Sequence, residues 1–281
     1  MHQKNPFSKD YNFENLITHH PSLKEYVFVN EHGNNSIKFS NNQAVIALNT
    51  ALLKAHYGIN YWKIPDNNLC PPVPGRLDYL LHVAELLQKE DIKMLDIGTG
   101  ANLIYPILAC SHFNWQCTAS EVDLDSLKNA QEIIAKNESL KDIELRHQKF
   151  KNSILEHIIQ PDDVFDVVVC NPPFYKNRTD AERSNQRKVT NLQLEEVAPQ
   201  NFGGSSNELW YKGGEEAFIK KMAAESVAFK KQVHWFTVLV SQKEHLKNIK
   251  RAINKTLPTE VRIIEMEQGN KQSRFIAWTF Q

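Results

Sequence analysis

Three short stretches combine residue types and spacings that point to chemistry: Asp96-Ile97-Gly98-Thr99-Gly100, the lone Glu121, and Asn171-Pro172-Pro173-Phe174. Gly98 and Gly100 allow positive φ and let the backbone approach a ligand with no Cβ in the way. The turn lacks the third glycine of a dinucleotide fingerprint, because Leu103 occupies that position, and no Gly-Lys-Ser/Thr follows to make a P-loop. A shorter D-x-G-x-G turn, with an acidic residue at the end of the next strand, suits a nucleoside that carries an amino acid. The turn hugs the amino-acid part, and Glu121 accepts hydrogen bonds from the ribose hydroxyls. That pattern predicts an S-adenosylmethionine site.

The second motif predicts what is done there. Two consecutive prolines remove two backbone donors and stiffen the loop while their carbonyls stay free to accept. The Asn171 side-chain oxygen and the Pro172 carbonyl can together accept both hydrogens of a planar exocyclic amine, and Phe174 offers a ring to stack on its base. Such acceptors localise the amine lone pair for in-line attack on a sulfonium methyl, so positioning supplies much of the acceleration and no strong general base is needed. A nucleobase inside a helix cannot reach such a loop, so the substrate is single-stranded or its base flips out. A rigid strand-to-loop corner is the plainer reading of Asn-Pro-Pro, and a tight strand-to-helix turn the plainer reading of the glycines.

The elements that must position these motifs are strands alternating with helices. KMLDI (93–97), QCTASE (116–121), Ile143–His147, FDVVVC (165–170), Val233–Val240, Glu260–Met266 and Arg274–Phe280 read as strands. FDVVVC, β-branched with no polar alternation, suits a strand buried on both faces of a parallel sheet. Helices are expected at Ala101–Cys110, Asp125–Asn137, Asn152–Ile159, Gly214–Lys230 and Lys243–Lys255. The expected fold class is therefore α/β: a Rossmann-like, doubly wound, mostly parallel seven-stranded sheet. Both motifs then fall at its carboxyl edge, where such folds bind ligands.

Ahead of the sheet, the run 41–58 has an Asn cap, helical apolar spacing and a glycine stop. The proline-rich loop CPPVPGR ends at Arg76, and a second helix follows from that residue. Residues 1 to about 35 read as an arm lying on a surface. The division expected is 1–90 as a helical extension covering RNA and cofactor and 91–281 as the catalytic domain, with a polar insertion at 176–212.

Composition limits the partners. The chain has 281 residues, is 41% hydrophobic and 23% charged, and balances 33 Lys and Arg against 33 Asp and Glu. A packed globule is affordable, and a uniformly basic nucleic-acid binder is excluded. The four cysteines form no C-x-x-C pair and the eleven histidines lack ligand spacing, so no metal is expected. With no apolar leader or membrane span, the expectation is a cytoplasmic monomer. Local charge remains. Lys176, Arg178, Arg183, Arg187 and Lys188 read as an RNA-facing flap or a solvated loop. Lys243, Lys247, Lys250, Arg251 and Lys255 read first as a solvated helix face, with phosphate contact as the alternative. Trp210 and Tyr211, between glycine pairs, stack on a nucleotide or anchor the loop.

CPPVPGRLDYL, LDIGTGANLIYP, SEVD, CNPPFY, GGSSNELWYKGGEEAFI and QSRFIAWTF carry a resemblance over about Tyr11 to Phe280. The chain resembles the class I S-adenosylmethionine-dependent methyltransferases that act on amino groups and, more narrowly, the ribosomal RNA large subunit methyltransferase F family. The resemblance implies methylation of the exocyclic N6 of one adenine in 23S rRNA, free or in a large-subunit assembly intermediate, with S-adenosylhomocysteine as product. It implies cofactor contacts at Arg76, Asp96, Gly98, Gly100, Asn102 and Glu121, a border at His147–Lys149, and the methyl acceptor at Asn171–Phe174. Protein glutamine methylation, DNA adenine methylation and a non-catalytic assembly role remain as alternatives; Phe174, where glutamine enzymes carry Tyr, disfavours the first.

Overall fold

The computed structural model describes residues 1–65, 68, 70–173, 175–176, 210–268 and 271–281. The seven expected strands form one sheet. They are β3 (Lys93–Ile97), β4 (Gln116–Glu121), β5 (Glu144–His147), β6 (Phe165–Cys170), β7 (Val233–Leu239), β8 (Glu260–Gln268) and β9 (Lys271–Thr279). The order is β5-β4-β3-β6-β7-β9-β8, and only β9 runs against its neighbours. The chain winds outward from β3 to β5 and then crosses back to lay β6 on the other side of β3. Loops leaving β3 and β6 therefore part at a switch point, the place where doubly wound sheets open a crevice.

Strand alternation divides the core. Met94, Val167, Val169 and Trp235 enter one apolar cluster, and Leu95, Ile97, Val168, Cys170 and Phe236 enter the other. Successive side chains on a strand point to opposite faces, so FDVVVC is apolar from Val167 to Cys170 because both faces are covered there, while Asp166, near its start, is only half-buried and pairs with Lys89. The first cluster lies beneath α2 (Asn42–Tyr57), α3 (Val73–Leu87), α4 (Ile104–Phe113) and α5 (Leu124–Ala135), and the second beneath α6 (Gly214–Ser226) and α7 (Leu246–Asn254).

Several expectations need correction. The N-terminal arm is not laid on a surface: it forms α1 (Phe13–His19) and a small hairpin of β1 (Val27–Val29) and β2 (Asn35–Ile37), and Phe7, Phe13, Leu16 and Leu23 are buried in the first cluster. The proline-rich loop does not run to Arg76. Helix α3 starts at Val73, with Pro74 in its first turn, where a missing N–H costs nothing. Helix α4 starts at Ile104 instead of Ala101, because Leu103 holds φ 53° and cannot continue a helix. Residues 152–159 form turns, not a helix. Helix α6 ends at Ser226 and passes into a 3-10 turn, Val227–Phe229. Among the described residues no helix is long and apolar enough to cross a membrane.

Candidate active site

The turn after β3 is tied to the end of β4. Gly98 and Gly100 take φ of 75° and 64°, and the N–H groups of Gly98 and Thr99 both donate to the Ser120 carbonyl at 3.0 Å. The Gly100 N–H donates to Glu121 Oε2 at 2.9 Å, while Glu121 Oε1 accepts from Val122 and Asp123 at 2.7 and 2.9 Å. Glu121, which is buried, is thus a structural anion that holds the glycine turn and the start of the β4–α5 loop together, a duty that the sequence reading did not assign to it. Its side chain also lines the cavity, so it keeps a face toward a ligand.

Asp96 lies deeper. It is 1% exposed, and both its oxygens and the nearby Thr99 hydroxyl are buried without a hydrogen bond. Burial pushes the Asp96 carboxyl up to about 7. The Glu121 charge adds to that rise, while Thr99 and the Arg76 charge oppose it. Thr99 does so by proximity, not at hydrogen-bonding geometry. Asp96 is absent from the cavity wall, so it acts from beneath the turn.

Arg76, in the first turns of α3, donates to the Tyr105 hydroxyl at 2.9 Å and lies over that ring. Burial raises the Tyr105 hydroxyl to about 12, so it stays protonated and accepts from Arg76 through its oxygen. Asn102 is buried; its Oδ1 accepts from the Ile104 N–H at 3.1 Å, and its carbonyl accepts from Trp62 Nε1 at 2.8 Å.

One cavity of about 700 Å³ brings these groups together. Arg76, Gly98, Gly100, Asn102 and Glu121 line it from one side, Asn171 and Pro173 from the other, and His147, Gln148 and Lys149 close one end. Pro172 is buried between these two wall residues, and Phe174 lies outside the described residues. The flap cations Arg178, Arg183, Arg187 and Lys188 also lie outside them, as do 177–209 of the insertion.

Sequence reasoning missed Tyr105, Phe218 and Lys151 to Ile154 as cavity residues. Tyr105 had a signal in its place next to the turn, one residue into α4. Lys151 to Ile154 had none, since the expected helix there directed attention to packing. Trp210, Tyr211 and Lys212 form a further part of the wall, and the stretch from Trp210 to Gly214 is clamped to the loop after Pro173. Tyr175 bridges Trp210, the Tyr211 N–H donates to the Tyr175 carbonyl at 3.0 Å, and a Cβ on Gly214 would stand 2.9 Å from Lys176 Cγ.

The residues fit the expected cofactor. A Cβ added at Gly98 would meet nothing within 4 Å, so the backbone there faces open cavity, and a buried carboxylate stands at the end of the neighbouring strand. A separate group, His2, His82 and Glu85, collects three possible metal ligands among the described residues. His2 Nδ1 accepts from the Lys4 N–H at 3.1 Å, which leaves the ring proton on Nε2, 2.8 Å from Glu85 Oε1. That is a hydrogen bond, and an ion on Nε2 would force a second proton against the Lys4 N–H.

A family model described as RNA methyltransferase matches residues 1–281. A protein of Pectobacterium atrosepticum named Ribosomal RNA large subunit methyltransferase F is 46% identical over 288 residues, covering 100% of this chain and 93% of its own length. A protein of the same name from Christiangramia forsetii is 45% identical over 285 residues, covering 100% of both chains. Among solved structures, the hMettl16 catalytic domain in complex with MAT2A 3'UTR hairpin 1 superposes with a TM-score of 0.85 at 30% identity, covering 100% of this chain and 96% of that one. The N-terminal domain of human METTL16 in complex with SAH superposes with a TM-score of 0.79 at 28% identity, covering 100% and 99%.

Proposed function

The chain belongs to the RNA methyltransferase family, and from that premise we propose that it methylates the exocyclic N6 amine of one adenine in 23S rRNA, free or within a large-subunit assembly intermediate. It is an S-adenosylmethionine-dependent methyltransferase with a Rossmann-like class I fold. The observation that carries the adenine reading is that Asn171 and Pro173 share one cavity with Gly98, Gly100 and Glu121, at the edge where β3, β4 and β6 end.

S-adenosylmethionine supplies an electrophilic sulfonium methyl. The protein's part is placement. Gly98 and Gly100 give a close-fitting backbone, Glu121 receives ribose hydroxyls from its place in the cavity wall, and Arg76 and Asn102 line the cofactor's side of the cavity. Asn171 Oδ1 and the Pro172 carbonyl accept the two amine hydrogens, turning the nitrogen lone pair toward the methyl donor. With neutral acceptors the amine loses its proton only after transfer, when it has become acidic. Phe174 stacks on the base, and His147 to Lys149 border the cofactor's adenine. Residues 1–90 cover the cofactor end, a role supported by Pro71 and Arg76 in the cavity wall. The protein works in the cytoplasm as a monomer.

Asn171→Ala tests this reading. Labelled methyl transfer to 23S rRNA, followed by nucleoside mass spectrometry, should give N6-methyladenosine with the wild type and a loss of about 100-fold or more in kcat with the variant, while calorimetry shows cofactor affinity within about twofold. Unchanged turnover, or label in protein or DNA in place of rRNA, refutes it.

A further inference from the structure

Helices α5 and α6 neutralise their own lysines. Lys128 pairs with Asp125 at 2.9 Å, Lys136 with Glu132 at 2.6 Å and Lys221 with Glu225 at 3.1 Å, and Lys220 pairs with Glu216. Helix α7 and the 3-10 turn leading into it, Lys243–His245, break this rule. Lys243, Lys247, Arg251 and Lys255 recur every four residues, and Lys250 stands beside them. All five are exposed, and none makes an ion pair among the described residues.

Residues four apart share one helix face, and like charges at that spacing work against the helix. Here the opposite face secures it: Ile249 and Ile253 are buried in the second core cluster, with Leu246 packed against it. The charged row is left with no structural duty.

Its position relates it to the active site. Glu215, fully buried in the first turn of α6, accepts from the Ser241 N–H at 2.7 Å and faces His245 Nδ1 at 2.9 Å. It follows Gly214, which packs on Lys176 just beyond the Asn171-Pro172-Pro173 loop. The Lys243 end of the row is therefore fastened near the acceptor side of the cavity, and the row leads away from it for about 18 Å. The formal charge of the whole chain is zero, so no general field draws a polyanion, and an unpaired row can do so locally.

We propose that Lys243, Lys247, Arg251 and Lys255 form a phosphate-binding ridge that holds the sugar-phosphate backbone of the RNA substrate outside the acceptor pocket. The proposal rests on the RNA reading above. An acidic protein surface is the competing occupant.

The test combines Lys243→Gln, Lys247→Gln, Arg251→Gln and Lys255→Gln in one variant, probed with a 23S rRNA fragment that the wild type methylates. Each lost phosphate contact removes about one unit from the slope of log affinity against log salt. The slope should fall by about two or more, and KM for the fragment should rise roughly tenfold near physiological salt. Cofactor affinity and kcat at saturating RNA should hold, which also shows that the variant is folded. A control carrying Lys128→Gln and Lys136→Gln, both ion-paired in the wild type, should keep its slope. An unchanged slope and KM in the fourfold variant overturns the ridge and leaves the acidic protein as its occupant; an equal loss in the control overturns it in favour of diffuse charge. A wild type that methylates no RNA overturns the parent reading, an outcome distinct from either.

Discussion

Asp96→Asn should abolish a pH dependence of stability that the wild type cannot avoid. Asp96 is 1% exposed with neither oxygen hydrogen-bonded, and burial raises its carboxyl to about 7 from its ordinary value of 3.8. In the unfolded chain it ionises near its ordinary value, so between about pH 4 and 7 the native state holds a proton that the unfolded state has lost. Native stability therefore falls as pH rises through that window. A shift of about three units at about 1.4 kcal/mol each makes the loss roughly 4 kcal/mol, complete above pH 7. Asparagine resembles the neutral acid in size and polarity, so at pH 4 the two proteins should lie within about 1 kcal/mol of each other. At pH 8 the variant should be more stable by up to roughly 4 kcal/mol. Burial lowers His20, His56, His82 and His112, which adds stability as pH rises, but that contribution is common to both proteins and cancels in their difference. Urea denaturation at pH 4, 5, 6, 7 and 8, without added cofactor, measures it. Parallel curves for wild type and variant across that range would show that Asp96 ionises normally and that the reasoning from its burial is wrong.

Gly98 holds φ 75° with nothing near its missing Cβ, so Gly98→Ala costs backbone strain alone, about 1–2 kcal/mol by thermal unfolding, and weakens cofactor binding about tenfold or more by calorimetry because the new methyl points into the cavity. Glu215→Gln replaces a fully buried carboxylate that serves both the Ser241 N–H and His245, and should destabilise the protein by about 1–3 kcal/mol in urea; a change below about 0.5 kcal/mol would show that it does not fasten α6 to the end of β7.

Elements were legible wherever local pattern and tertiary need agreed. FDVVVC was legible as β6 to the residue because burial on both faces from Val167 to Cys170 leaves a continuous apolar run, with Asp166 the one polar position, near the strand's open start. Ile154, Leu155, Ile158 and Ile159 imitate a helical stripe and are indeed buried, yet no helix forms. The reason lies about 70 residues away. Glu225 Oε2 accepts the N–H groups of Ile154, Leu155 and Glu156 at 2.9, 2.7 and 3.2 Å, and His157 takes φ 68°. A carboxylate from α6 replaces the capping that local sequence would have had to supply, and periodicity cannot reveal it. The same segment forms a wall of the cavity, so the misread element and the unrecognised site residues share one cause.

Glu121 teaches the converse. Its place at the end of β4 was legible, but its bonds to Gly100, Val122 and Asp123 were not, because they depend on two loops meeting in space. They make the glycine turn and the ribose acceptor one unit. A substitution at Glu121 must then disturb the turn as well as the ribose contact, so Asn171, which lies on the other wall, is the cleaner place to separate methyl transfer from cofactor binding. Charge follows a similar logic. The equality of 33 and 33 describes the whole chain, and only pairing in space shows which cations are already spent. On α5 and α6 the partners lie three or four residues away and could be read from the sequence, whereas the row on α7 stands out because none of its cations makes an ion pair among the described residues, although Glu215 and Glu216 reach His245 and Asn248 beside it.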